Sequence, residues 1–208
     1  MGMLRSIFGP SKDEIWSQIA HDIGGDYIEG GFWGKDVLAY KHGEWQLLLD
    51  TYTVSTNTGN SSSSTTYTRM RAPFINKDDL QFKIYRSGLF SPLGKLFGMQ
   101  DIEIGDPLFD DQFIIKGNNA SKIGMLLYDP KLRNLIQKQP RIHLKIKDDE
   151  GWFGKSFPEG VDELYFRCIG VMKETYLLKA LFDMFTTTLE RLVQIDSAYE
   201  DDPGIQFK

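Results

Sequence analysis

Between Gly105 and Lys147, turn chemistry, helix caps and two hydrophobic periods agree with one another, and this stretch constrains the fold more than any other. Asp106-Pro107 opens a turn, Phe113 to Lys116 reads as a short apolar strand, and Gly117-Asn118-Asn119 ends that strand and caps a helix beyond it. In that helix Ile123, Leu126 and Leu127 recur at helical spacing. Asp129 supplies an N-cap with Pro130 in the favoured first helical position, and Leu132, Leu135 and Ile136 form the stripe of a second short helix that Gln139-Pro140 stops. From Arg141 to Lys147 the chain alternates strictly. Ile142, Leu144 and Ile146 take one face of a strand, and Arg141, His143, Lys145 and Lys147 take the other.

The same signals extend outward. Ser11 with Glu14 is a capping box ahead of Ile15, Trp16, Ile19 and Ile23, which predicts a helix to about His21, ended by Gly24-Gly25. Tyr27 to Ile28, Val37 to Tyr40 and Trp45 to Val54 read as an antiparallel meander, and Leu80, Phe82 and Ile84 alternate with Gln81, Lys83 and Tyr85 in a further half-buried strand. Residues Ser55 to Thr66 are Ser, Thr, Asn and Gly throughout, a composition that solvates its own backbone. They are expected to form a mobile hairpin tip, a long loop inside one sheet. A strand from Leu164 to Ile169 and a long helix from about Thr175 to Ser197 close the chain, the helix carrying a broad apolar face from Leu178 to Val193 that needs a core or a second subunit. Two echoes, Gly31-Phe32-Trp33-Gly34-Lys35 with Gly151-Trp152-Phe153-Gly154-Lys155 and Gln81 to Ile84 with Gln112 to Ile115, raise an internal repeat, but their spacings do not match each other.

These elements make an α+β fold in which one or more antiparallel β-sheets pack against the N-terminal and C-terminal helices and a central pair of short helices. The expected organisation is a flexible segment over residues 1–10, a single domain over 11–198 and a tail over 199–208; a division into two lobes would fall near 91–105. With 208 residues, 41% of them hydrophobic, the chain can bury an adequate core. A net charge of -5 argues against nucleic acid as the partner, and no apolar run reaches the ~20 residues of a spanning helix. The one cysteine, Cys168, excludes an intramolecular disulfide and suits a reducing cytosol.

Chemical signatures are sparse. Gly154-Lys155-Ser156 resembles the end of a phosphate loop, yet Asp149 stands where its first glycine belongs. The cluster of Asp106, Asp110 and Asp111, with Asp101 and Glu103, is the weak candidate for a metal site, although turn positions and a wet strand face account for these acids. His21, His42 and His143 lie in different elements without ligand spacing, and Cys168 is in phase with buried positions. Two groups remain as binding candidates. Tyr67, Arg69 and Arg71 share one strand face and suit an anion or an acidic partner, while Trp33 and Trp152, each beside a phenylalanine and between glycines, suit aromatic contact patches.

The run Asp106-Pro107-Leu108-Phe109-Asp110-Asp111-Gln112-Phe113-Ile114-Ile115 and the short helices after it resemble uncharacterised bacterial proteins carrying domains of unknown function, over roughly Thr66 to Gln139. That resemblance implies a bacterial cytoplasmic origin and brings no activity with it. The sequence therefore leads to a non-enzymatic interaction or ligand-binding protein of the bacterial cytoplasm, with no catalytic residue and no cofactor, an unidentified protein or small molecule as partner, and self-association through the C-terminal helix as an option. Two alternatives stand beside it: a carboxylate- or metal-dependent hydrolase using Asp106, Asp110 or Asp111 with His143, and a peripheral membrane protein touching lipid through Leu4, Ile7 and Phe8.

Overall fold

The computed structural model describes residues 9–31, 35–59, 61–88, 99–147 and 157–205. Helix α1 (Lys12–Ile23) begins at the expected capping box: the Ser11 hydroxyl accepts from the Glu14 amide and the Glu14 carboxylate accepts from the Ser11 amide, both at 3.2 Å. Gly24, at φ 73°, ends it in the left-handed conformation that a Cβ would disfavour. Strands β1 (Asp26–Ile28), β2 (Val37–His42), β3 (Trp45–Thr58) and β4 (Ser61–Asn76) form an antiparallel meander. Strands β5 (Phe82–Arg86) and β6 (Gln100–Ile102) lead to a short helix α2 (Pro107–Gln112) and strand β7 (Phe113–Gly117). The helix pair is α3 (Ala120–Leu127) and α4 (Pro130–Lys138), capped as expected by the side chains of Asn119 and Asp129. Strands β8 (His143–Lys147) and β9 (Val161–Ile169), helix α5 (Thr175–Gln194) and the two-residue strand β10 (Ala198–Tyr199) complete the described chain.

Among the described residues the ten strands form one sheet in the order β1-β2-β3-β4-β9-β8-β5-β7-β6, with β10 added to β4 and each strand pair antiparallel. The chain has an α+β fold. Register shows how one face becomes the core. Leu38, Leu49, Met70, Phe166, Leu144, Ile84, Ile115 and Ile102 stand opposite one another in turn across eight strands, and all are at least 92% buried. Side chains of α1, α3, α4 and α5 join them in one contiguous apolar cluster. Each fully buried Leu, Ile or Phe contributes roughly 1.5 to 3 kcal/mol. The broad face of α5 is covered within the chain, with Leu178, Leu181, Met184, Phe185, Leu189 and Leu192 all without solvent exposure.

Two local readings change. Asp106-Pro107 opens α2 rather than a plain turn, Asp106 accepting from the Phe109 amide at the N-cap. The hydroxyl-rich run is strand instead of loop. Pairing continues to Thr58 opposite Ser61, and the hydroxyls of Thr53 and Thr66 (3.0 Å), Ser55 and Ser64 (2.9 Å) and Thr56 and Ser63 (3.4 Å) meet across the ribbon. The ribbon extends strands already registered by the core, so these exposed residues need little burial of their own to continue the ladder.

Candidate functional site

The side chains that alternate with the core rows form the other face of the sheet, and the charge of that face is distinctive. Leu48, Arg71, Tyr165, Lys145, Lys83, Lys116 and Asp101 are successive cross-strand partners from β3 to β6, and Asp50, Arg69 and Arg167 form the neighbouring row. On the β3–β4 side the charges are compensated. Asp50, 2% exposed, accepts from Arg69 Nε at 2.7 Å, Arg69 Nη2 at 2.5 Å and Arg71 Nη2 at 2.9 Å, so one carboxylate holds two guanidinium groups. Beside this triad the Tyr52 and Tyr67 rings stack at 5.1 Å, with Arg69 5.1 Å from the Tyr52 ring centre and Arg167 5.5 Å from that of Tyr67. The hydroxyls of Tyr52 and Tyr165 lie 3.4 Å apart, and burial, then the Tyr52 hydroxyl, raises the pKa of Tyr165.

On the β8–β5–β7 side the cations repel one another. Lys83 is 5% exposed, and burial, together with the charges of Lys145, Arg167 and Lys116, brings its pKa down to about 8. Lys145 is shifted in the same direction by burial, Lys147 and Arg167, against the attraction of Glu163. His143, opposite Tyr85, has both ring nitrogens buried without a hydrogen-bond partner. Burial and then Lys83, Arg167 and Lys145 hold its pKa down at about 3, so the ring is neutral at pH 7. Lys116, at the outer end of the row, is the exception: its ammonium meets Asp101 at 2.6 Å. A cleft of about 560 Å³ adjoins this end, lined by Tyr85, Ile114, Lys116, Asp101, Glu103 and Asp110 among others.

The structure brings Tyr67, Arg69 and Arg71 together on this face as the alternation implied, with Asp50 supplying a counter-charge. Trp33 and Trp152 lie outside the described residues, as do Leu4, Ile7, Phe8 and Gly154-Lys155-Ser156. The acids near α2 have structural duties. Asp106 caps α2 and pairs with Arg133 at 3.2 Å, while the Asp110 carboxylate accepts from the amides of Ile104 and Gly105 at 3.0 Å each. Asp111 is exposed, its backbone carbonyl accepting from Ser87, and no group of three or more metal-ligating side chains occurs among the described residues. Burial pushes the Cys168 thiol up to about 11, which keeps it a poor nucleophile at neutral pH. Sequence reasoning did not single out Asp50, Tyr52, Lys83, Lys145, Tyr165 or Arg167. Each alternates along its strand with residues of the core face, and that was the available signal.

No protein-family model matches the chain, and a search of curated proteins finds no match. Among solved structures, the crystal structure of the mycobacterial trehalose monomycolate transport factor A is similar, with a TM-score of 0.50 at 8% sequence identity, over 87% of this chain and 94% of that one. The similarity extends to the overall fold. No helix among the described residues is long and apolar enough to cross a membrane.

Proposed function

We propose that this protein is a non-enzymatic binding protein whose basic sheet face receives an anionic ligand. The observation that carries the reading is segregation of charge: a chain of net charge -5 gathers Arg69, Arg71, Arg167, Lys83, Lys145 and Lys116 with four tyrosines on one face. Cations interleaved with aromatic rings bind anionic groups through charge-assisted hydrogen bonds while the rings exclude water. The transport factor named in the structural comparison is compatible with a binding role, and its cargo is not carried over at 8% identity. The hydrolase alternative loses support, because Asp106 and Asp110 are engaged with backbone amides and, among the described residues, no carboxylate hydrogen-bonds His143. One domain is part of the proposal, since β4 pairs with β9 and β5 with β8 across the stretch 91–105. Bacterial origin and a cytoplasmic location are retained from the sequence resemblance and the single cysteine.

The test is equilibrium binding of two polyanions, poly-L-glutamate and inorganic polyphosphate, at low ionic strength. Binding of at least one, weakened about tenfold or more by Arg167→Gln and by added salt, is the expected result. If neither binds, the basic sheet face is not an anion-binding surface.

A further inference from the structure

Lys145, Lys83 and Lys116 stand directly opposite one another on three adjacent strands. Cross-strand partners hold their Cβ atoms about 5 Å apart, and like charges in that position destabilise a sheet. Lys116 is neutralised by Asp101, whereas among the described residues no carboxylate is in ion-pair contact with Lys83 or Lys145. Their ammonium groups lie 5.8 Å from the Tyr85 ring and 5.6 Å from the Tyr165 ring. In the next register position, His143 adds two buried, unpartnered ring nitrogens. Arg167 is near enough to depress the protonation of all three groups. Two ammonium groups and an imidazole without a hydrogen-bond partner, side by side on one largely buried face of adjacent strands, cost the apo fold stability, and a ligand of opposite charge would offset that cost.

We propose that Lys83, Lys145 and His143, with Arg167 beside them, form a binding site for a tetrahedral dianion of the phosphate class, either free or as the phosphoryl group of a larger molecule. This rests on the reading of the basic sheet face as an anion-binding surface. A dianion matches the ammonium groups of Lys83 and Lys145, neither of which has an ion-pair partner among the described residues although Glu163 attracts Lys145, where a single carboxylate would leave one of them unmet. Its four oxygens can accept from several sides at once. Binding should also draw in a proton. The groups facing Lys83 are Lys145, Lys147 and His143 from β8, Lys116 from β7, Arg167, Tyr165 and Glu163 from β9, and Tyr85 on its own strand, with Asp101 on β6 engaged by Lys116. Lys83 titrates at about 8 without ligand, so roughly half of it is neutral at pH 8, and a bound dianion favours the charged form.

The experiment is calorimetric titration of the full chain at pH 8 with inorganic phosphate, with a simple phosphomonoester such as glycerol phosphate, and with sulfate, which does not itself titrate near this pH. Binding of phosphate or the phosphomonoester, weakened about tenfold or more by Lys83→Gln and by Lys145→Gln but unchanged by Lys131→Gln on α4, supports the site. Tighter binding of the phosphomonoester identifies a larger phosphorylated ligand, and equal affinity identifies the free ion. Sulfate titrated in two buffers of different ionisation enthalpy should report net proton uptake; binding without uptake overturns the proton linkage. If polyphosphate or poly-L-glutamate binds the basic sheet face while no tetrahedral dianion binds, or if the two glutamine variants bind as the wild type does, this site is overturned and the broader reading stands. Loss of all anion binding overturns both. Thermal melts of the variants keep the comparison sound, because removing mutual repulsion should leave each melting no lower than wild type.

Discussion

Replacing Lys83 with Met should stabilise the ligand-free protein, contrary to the usual effect of changing a residue that is only 5% exposed. The Lys83 pKa falls from 10.5 to about 8 on folding, and at roughly 1.4 kcal/mol per pH unit that difference is a penalty of about 3 kcal/mol carried by the charged form. The contact with the Tyr85 ring returns roughly 0.5 to 1 kcal/mol, and local solvation trims the remainder. Methionine has nearly the same length and no charge. Lys83→Met should therefore gain about 1 to 3 kcal/mol at pH 7, or roughly 2 to 12 °C in Tm for a chain of this size. Between about pH 8 and 10.5 the unfolded chain binds more protons at this position than the native one, so wild-type stability from this group rises with pH and the advantage of Met shrinks. Urea unfolding at pH 7 and in steps up to pH 10.5 measures the effect. A variant less stable than wild type at pH 7, or a gain constant over that range, would show that Lys83 carries no such penalty.

Other positions give independent checks. Asp50→Asn leaves two largely buried guanidinium groups without their shared carboxylate and should cost about 2 to 4 kcal/mol, read as a lower urea midpoint at pH 7. Gly117→Ala would set a Cβ 2.0 Å from Ile123 Cδ1 and 2.8 Å from the Gln81 carbonyl oxygen, so a loss of about 3 kcal/mol is expected in the same assay. Thr68 is fully buried, its hydroxyl donating to the Gly170 carbonyl and accepting from the Met172 amide, both at 2.8 Å. Thr68→Val should lower stability by about 3 kcal/mol in thermal melts while leaving phosphate affinity unchanged, because Thr68 projects from the core face.

What could be read from the sequence was local. Ser11 with Glu14, Asn119, and Asp129 with Pro130 cap helices through atoms within three residues of themselves, so composition alone placed those starts. The alternation from Arg141 to Lys147 placed Leu144 and Ile146 inward and His143 and Lys145 outward, as observed. Strand order was not legible. β9 lies between β4 and β8, and β5 lies between β8 and β7, through hydrogen bonds that carry no signature in either strand. For that reason Tyr67, Arg69 and Arg71 could be grouped on one strand, while the row of Lys145, Lys83 and Lys116 could not. The hydroxyl-rich ribbon was misread because its composition matches disordered segments, and its order depends on strands β3 and β4 anchored elsewhere in the core.

Whether the basic sheet face holds an anion at Lys83 and Lys145 can be seen in a crystal of the protein soaked with tungstate, a heavy tetrahedral dianion. An anomalous peak in contact with the Nζ atoms of Lys83 and Lys145 and adjacent to His143 is the expected result. An empty lysine row at saturating tungstate, with any ordered ion bound elsewhere, would mean that the lysines do not form an anion site.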